Sequence, residues 1–229
     1  MGRPPLHDPD DFLDSAARLF AASGARAVTM AAVARSIGAP SGSIYHRFPD
    51  RPALLAALWL RSSRKFLEEY LRVVGVTPEL DDAVAASAWI VDWCRDNLAE
   101  ATVLQSGTRT FEPDEWPESA RIKLAEHDMA QKQALRALVQ ALATRTGLTR
   151  DRITFALIDM PLAVVRPYLH QGKPPPTRAT ELARDLARTL LTTAEPGMCP
   201  DHVAAQRLAN AQSPPESRPH EPANQSPPR

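Results

Sequence analysis

Residues 29–48 constrain the chain more than any other stretch. Thr29 is a good N-cap, because its hydroxyl can accept from a free backbone N–H of the first helical turn. Met30, Val33, Ala34 and Ile37 then recur at helical spacing along one face. Gly38 stands where a left-handed residue should close that helix. Pro40 cannot continue it and suits the start of the next. The pattern predicts a second helix over about 41–47, under two turns long. Ile44 and Phe48 can pack inward, which leaves Ser43, Tyr45, His46 and Arg47 facing out. A short helix with that face is poor core material. It suits insertion into a DNA groove, as in a helix-turn-helix.

Charge supports this reading locally rather than globally. The formal net charge is zero, with 27 basic and 27 acidic residues. From Arg18 to Lys65, however, Arg18, Arg26, Arg35, Arg47, Arg51, Arg61, Arg64 and Lys65 face a single acid, Asp50. A basic surround of this kind displaces counterions from phosphates. Arginine far outnumbers lysine throughout the chain, which looks like a coding bias, so arginine abundance alone carries little weight.

The rest of the chain reads as helices. Residues 1–9 form a proline-rich arm, in which Arg3 could reach a neighbouring minor groove. Asp10 or Asp11 should cap a first helix with Phe12, Ala16, Leu19 and Phe20 as its apolar stripe, ended by Gly24. Asp50 should cap a long helix with Pro52 in its first turn and Leu54, Leu55, Leu58, Phe66, Leu67 and Tyr70 on its apolar face. Further helices are expected over 83–98, 101–109, 118–146, 150–170 and 177–193, with a loop at 111–117. Pro161 and Pro167 fall inside the 150–170 pattern and predict a kink or an early end. Residues 195–229 carry eight prolines and few large apolar residues, a composition expected to stay disordered. No convincing strand is present, so the fold class is all-α.

The two cysteines, Cys94 and Cys199, do not suggest a structural disulfide, and the pattern fits a reducing cytosol. No apolar run is long enough for a membrane span, and no signal-peptide core is present. A cytoplasmic protein is expected.

Residues 12–59 resemble the DNA-binding domain of the TetR family of transcriptional regulators. The resemblance is carried by the helix end at 19–24, by Thr29, Val33, Ala34, Ile37 and Gly38, by the run 41–48, and by Asp50, Arg51, Pro52, Ala53, Leu54 and Leu55. Members often have lysine where Ser41 stands, so one phosphate contact is weaker here. The resemblance implies an arm (1–9), a helix-turn-helix domain (10–49), a helical effector-binding and dimerisation domain (50–194) and a tail (195–229). It implies DNA contacts from Thr29, Ser41, Gly42, Ser43, Tyr45, His46, Arg47 and Arg51. Thr29, Tyr45, His46 and Arg51 would hold phosphates. Ser41, Gly42, Ser43 and Arg47 would lie nearest the base edges. Tyr45 could instead simply pack the small domain together, and Arg47 could be a surface charge or a phosphate contact.

The resemblance further implies a homodimeric repressor on a palindromic operator, released by a small, largely hydrophobic ligand. Trp89, Trp93, Phe111, Trp116, His127, Met129 and Phe155 are candidate pocket residues, although aromatics at helical spacing are core residues more often than ligand contacts. Leu157, Val164, Tyr168, Leu182, Leu186 and Leu190 are candidates for the dimer interface, and could equally pack within the subunit. An enzyme or a protein-interaction module carrying a basic helix-turn-helix lobe is the alternative. Against an enzyme, the chain has no HExxH, no G-x-S-x-G, no phosphate-binding glycine loop and no metal-spaced Cys/His cluster. No metal or cofactor is expected.

Overall fold

A computed structural model describes residues 8–75 and 77–192. These are built from helices and turns, with no strand among the described residues. The arm at 1–7, with Arg3, and the tail at 195–229, with Cys199, fall outside the described residues.

Three elements make the N-terminal lobe. Helix α1 spans Pro9–Ser23. Its cap is Asp8, slightly earlier than the expected Asp10 or Asp11. The Asp8 carboxylate accepts from the Asp11 N–H and the Asp11 carboxylate accepts from the Asp8 N–H, each at 3.0 Å. This reciprocal pair places Pro9 at the first helical position, where its missing N–H costs nothing. Helix α2 spans Met30–Ser36 and is capped by Thr29, whose hydroxyl oxygen accepts from the Ala32 N–H at 3.2 Å. Its far end closes through Gly38 at φ 68°, with the Ala39 N–H donating to the Ala34 carbonyl and the Gly38 N–H to that of Arg35. That is the Schellman arrangement, which needs a residue free to adopt positive φ.

The expected second helix is tighter than the sequence suggests. Residues 41–43 form turns, followed by a 3₁₀ turn over Ile44–His46. Both the Ser43 N–H and the Ser43 hydroxyl donate to the Pro40 carbonyl, at 2.9 and 2.7 Å. A serine that competes for backbone carbonyls, next to glycine, works against an α-helical start.

Helix α3, Arg51–Val74, connects the two parts of the molecule. Asp50 caps it as expected, accepting from the Ala53 N–H at 2.8 Å. The chain continues through α4 (Leu80–Asp96), α5 (Leu98–Gln105), α6 (Glu118–Thr146), α7 (Arg150–Thr154), α8 (Met160–His170) and α9 (Thr177–Thr192). The expected loop at 111–117 contains parts of two 3₁₀ turns, over Thr108–Phe111 and Pro113–Glu115.

Between α7 and α8 the chain does not end or break at Pro161. It passes through a π turn, Phe155–Asp159, and continues. Proline lacks an N–H, and its ring excludes the carbonyl four residues back. The carbonyls released nearby find side-chain donors. The Ser87 hydroxyl donates to Ala156 at 2.9 Å and the Tyr70 hydroxyl to Leu157 at 3.5 Å. Burial raises the Tyr70 pKa, which keeps that hydroxyl protonated and donating. The irregular turn is thereby pinned to α3 and α4.

Two apolar cores result. One gathers Phe12, Phe20, Val28, Val33, Ile44, Phe48 and Leu54–Leu60, and extends to Val103, Phe111 and Trp116. The other is centred on α4 and the π turn. Helix α4 packs most extensively on α9. The face of α9 turned inward carries Ala179, Ala183, Ala187 and Leu191, whose mostly small side chains allow close approach. Asp92 fastens the start of α9 by accepting from Thr180 and Arg95, each at 2.6 Å. Among the described residues no helix is long and apolar enough to cross a membrane.

Candidate nucleic-acid interface

The segment 41–47 is a rigid mount with an open polar face. Ile44 is fully buried and Phe48 nearly so, and Phe48 meets Phe12 edge-on with ring centroids 6.5 Å apart. The buried Ser15 hydroxyl donates to the Val33 carbonyl and also bonds the Ser36 hydroxyl, which fixes α2 on α1. Ser41, Gly42, Tyr45, His46 and Arg47 are exposed, as is Thr29, and Ser43 is half-buried. Tyr45 is 56% exposed, so it does not serve to pack the small domain. The Thr29 hydroxyl uses its oxygen in the cap, which leaves its proton free to donate.

Arg51 differs from the rest of the expected set. Its Nε donates to the Val28 carbonyl at 3.0 Å and one terminal nitrogen to the Ala25 carbonyl at 2.9 Å. The other terminal nitrogen pairs with the Glu112 carboxylate at 2.8 Å. This guanidinium braces the connection that leads into Thr29. The planar arginine fork reaches these three separated acceptors from three different nitrogens. Glu112 sits at φ 56°, the left-handed region that is costly for a residue with a Cβ. Its pair with Arg51 joins the turn between α5 and α6 to the N-terminal lobe.

The seven candidate pocket residues do not come together. Phe111 and Trp116 belong to the N-terminal core. Phe111 stacks on Phe20 at 4.7 Å between centroids and accepts, through its carbonyl, from the Trp116 indole N–H at 2.6 Å. Trp89 and Trp93 pack with Phe66 in an aromatic cluster, and the Trp93 N–H donates to Glu69 at 3.1 Å. Met129 and Phe155 are exposed. His127 bonds the Ser63 hydroxyl at 2.7 Å and clips α6 to α3. Periodicity marks such residues as apolar but does not say which core receives them.

Desolvation by burial lowers the His127 pKa from its ordinary 6.5, and Arg64 lowers it further, while Asp128 and Glu68 act against this. A histidine with a lowered folded-state pKa binds fewer protons folded than unfolded in the window just below 6.5. Stability then falls as pH drops through that window. Melting temperatures measured from pH 7.5 to 5 should decline less steeply in His127→Gln than in the parent protein; parallel curves would show that His127 does not titrate with folding.

A cleft of about 430 Å³ runs along α3 beside α6, lined by Ala57, Leu60, Arg61, Arg64, Lys65, Glu68, Glu69, Arg72 and Lys123. None of the seven expected pocket residues lines it. The i, i+3, i+4 spacing of Arg61, Arg64, Lys65, Glu68 and Arg72 marks a charged stripe on α3 that could be found from sequence. That Lys123 faces it could not be read from sequence. Among the interface candidates, Leu157 is fully buried within the subunit, Val164, Tyr168 and Leu190 are half-buried, and Leu182 and Leu186 are 51% and 38% exposed.

Residues 12–58 match the model of the bacterial regulatory proteins of the tetR family. No curated protein matches the chain. Among solved structures, the chain is similar to the TetR family transcriptional regulator PfmR from Thermus thermophilus, at 18% identity and a TM-score of 0.63, covering 84% of this chain and 100% of that one. A tetR-family regulatory protein from Rhodococcus RHA1 gives 19%, 0.64, 82% and 98% for the same quantities. The regulator FadR from Bacillus subtilis in complex with stearoyl-CoA gives 16%, 0.56, 82% and 100%. At such identities the likeness to these structures is one of fold.

Proposed function

We propose that this chain is a TetR-family transcriptional regulator, a cytoplasmic, non-enzymatic repressor that is active as a homodimer on a palindromic operator and is released from it by a small molecule. One observation carries the reading: a buried helix-turn-helix scaffold that leaves Ser41, Gly42, Tyr45, His46 and Arg47 exposed on a single short segment. Thr29, Tyr45 and His46 hold phosphates. Arg47, with Ser43 beside it, reads base edges, and Gly42 permits close approach. Arg51 acts indirectly, by fixing the carbonyls of Ala25 and Val28. Two-fold pairing would set the two recognition segments about one DNA turn, roughly 34–36 Å, apart or more.

The exposed face of α9 supports a dimer. Leu182 and Leu186 lie one turn apart, and Phe155 on the π turn is 47% exposed. Apolar side chains of that size, spaced along one helix, are what a four-helix interface between two subunits buries. A small-molecule effector is supported by the cleft beside α6 and, by analogy of fold, by the stearoyl-CoA held in the Bacillus subtilis structure.

Selection of operators from a random DNA pool, with the purified full chain, tests the reading; enrichment of no palindrome would sink it. On the selected operator, Arg47→Ala should relax base preference at one position per half-site by about 1–3 kcal/mol. Tyr45→Phe should weaken binding to all sequences by a similar factor. A base preference unchanged in Arg47→Ala would show that this side chain does not read bases.

A further inference from the structure

We propose that the cleft between α3 and α6 takes a small organic anion, a carboxylate or phosphate carrying a short apolar portion. The inference rests on the effector-responsive reading above and names the chemical class of that effector. The cleft volume of about 430 Å³ lies in the range of small-molecule sites.

Its charges do not cancel internally. Lys65 is taken by Glu100 and Asn97, at 3.2 and 2.7 Å. Glu69 accepts from the Trp93 indole N–H, a neutral donor that leaves its charge in place. Arg61 pairs with Asp14 at 2.7 Å and Asp10 at 3.4 Å, yet one of its terminal nitrogens is buried with no acceptor. That leaves Arg64, Arg72 and Lys123 against Glu68 and Glu69, with no hydrogen bond or ion pair among the described residues for the three cations. The surplus is positive, and it is contributed from both walls. Arg64 and Arg72 come from α3 and Lys123 from α6.

An anion seated here would accept from both helices and draw them together. Guanidinium groups suit carboxylate and phosphate geometry, and charge-assisted bonds are the stronger kind. The apolar portion would lie against Ala57, Leu60 and the methylene stems of the basic side chains. A neutral ligand of equal size would leave the cations unmatched.

Calorimetry with the full chain tests this. Octanoate and phenyl phosphate are titrated against octanamide and phenol, which keep the apolar portion and lose the charge. Each acid is expected to bind about tenfold or more tighter than its neutral counterpart, and the better of the two acids identifies the head group. The double variant Arg72→Gln/Lys123→Gln should lose about tenfold in acid affinity and most of the salt dependence, with unchanged melting temperature and operator binding. Acids that bind no better than the amide and phenol, or equally well to the double variant, would overturn the inference. So would a chain that binds its selected operator but neither acid. Failure to select any operator overturns the regulator reading instead, and calorimetry still decides the anion inference.

Discussion

The double variant Leu182→Glu/Leu186→Glu is expected to be a folded monomer that has lost operator binding. Both side chains stand on the outer face of α9, so the change leaves the inward alanine face and its contact with α4 intact. Helical content and the melting curve of the subunit should survive, apart from any stability that dimerisation itself contributes. Sedimentation or light scattering at micromolar concentration should report half the parent mass. Operator affinity should fall by on the order of 10²- to 10⁴-fold, because two linked half-site contacts become two separate ones. A variant that remains dimeric would move the interface elsewhere, and a monomer with normal operator affinity would sink the role proposed for this face.

The second large effect is expected inside the molecule. Phe111→Ala should destabilise the protein by about 3–5 kcal/mol, the usual cost of emptying a phenylalanine site. Phe111 is fully buried, stacked on Phe20 of α1 and within 5.3 Å, centroid to centroid, of Trp59 of α3. Although it lies far along the chain, in the turn before α6, its side chain completes the core beneath the recognition segment. Next to it, Glu112 holds Arg51, and Arg51 holds the carbonyls of Ala25 and Val28. Loss of Phe111 should therefore weaken operator binding beyond what the unfolded fraction explains. Chemical denaturation and operator titration at a temperature where the variant is folded would check both parts. A stability loss under about 1 kcal/mol would mean that the site collapses around the smaller side chain.

How much can be read in advance follows the range of the interactions involved. Thr29, Gly38 and Asp50 are legible because a cap acts within three or four residues of itself. The end of α6 at Thr146, closed by Gly147 at φ 73°, is legible for the same reason. The place of the short segment after Pro40 is legible, but its winding is not, since the donation from Ser43 to Pro40 is a local competition that apolar periodicity does not report. The aromatic residues escape sequence reading for a different reason. Phe111, Trp93 and Phe155 look alike in a sequence, yet one fills the N-terminal core, one is buried in a cluster with Phe66, and one is exposed.

From the sequence alone came the helical class, the exposed polar face of residues 41–47 and the family whose N-terminal domain it matches. All of these depend on patterns that repeat or close within a few residues. Only the tertiary structure decided which cations are already in use. Arg51 is held by carbonyls 26 and 23 residues before it and a carboxylate 61 residues after it. Arg64 and Arg72 were left unpaired in a cleft opposite Lys123. An ion pair or a cleft is made by segments distant in sequence, so the charge of a residue can be read from the chain, but the partner that neutralises it cannot.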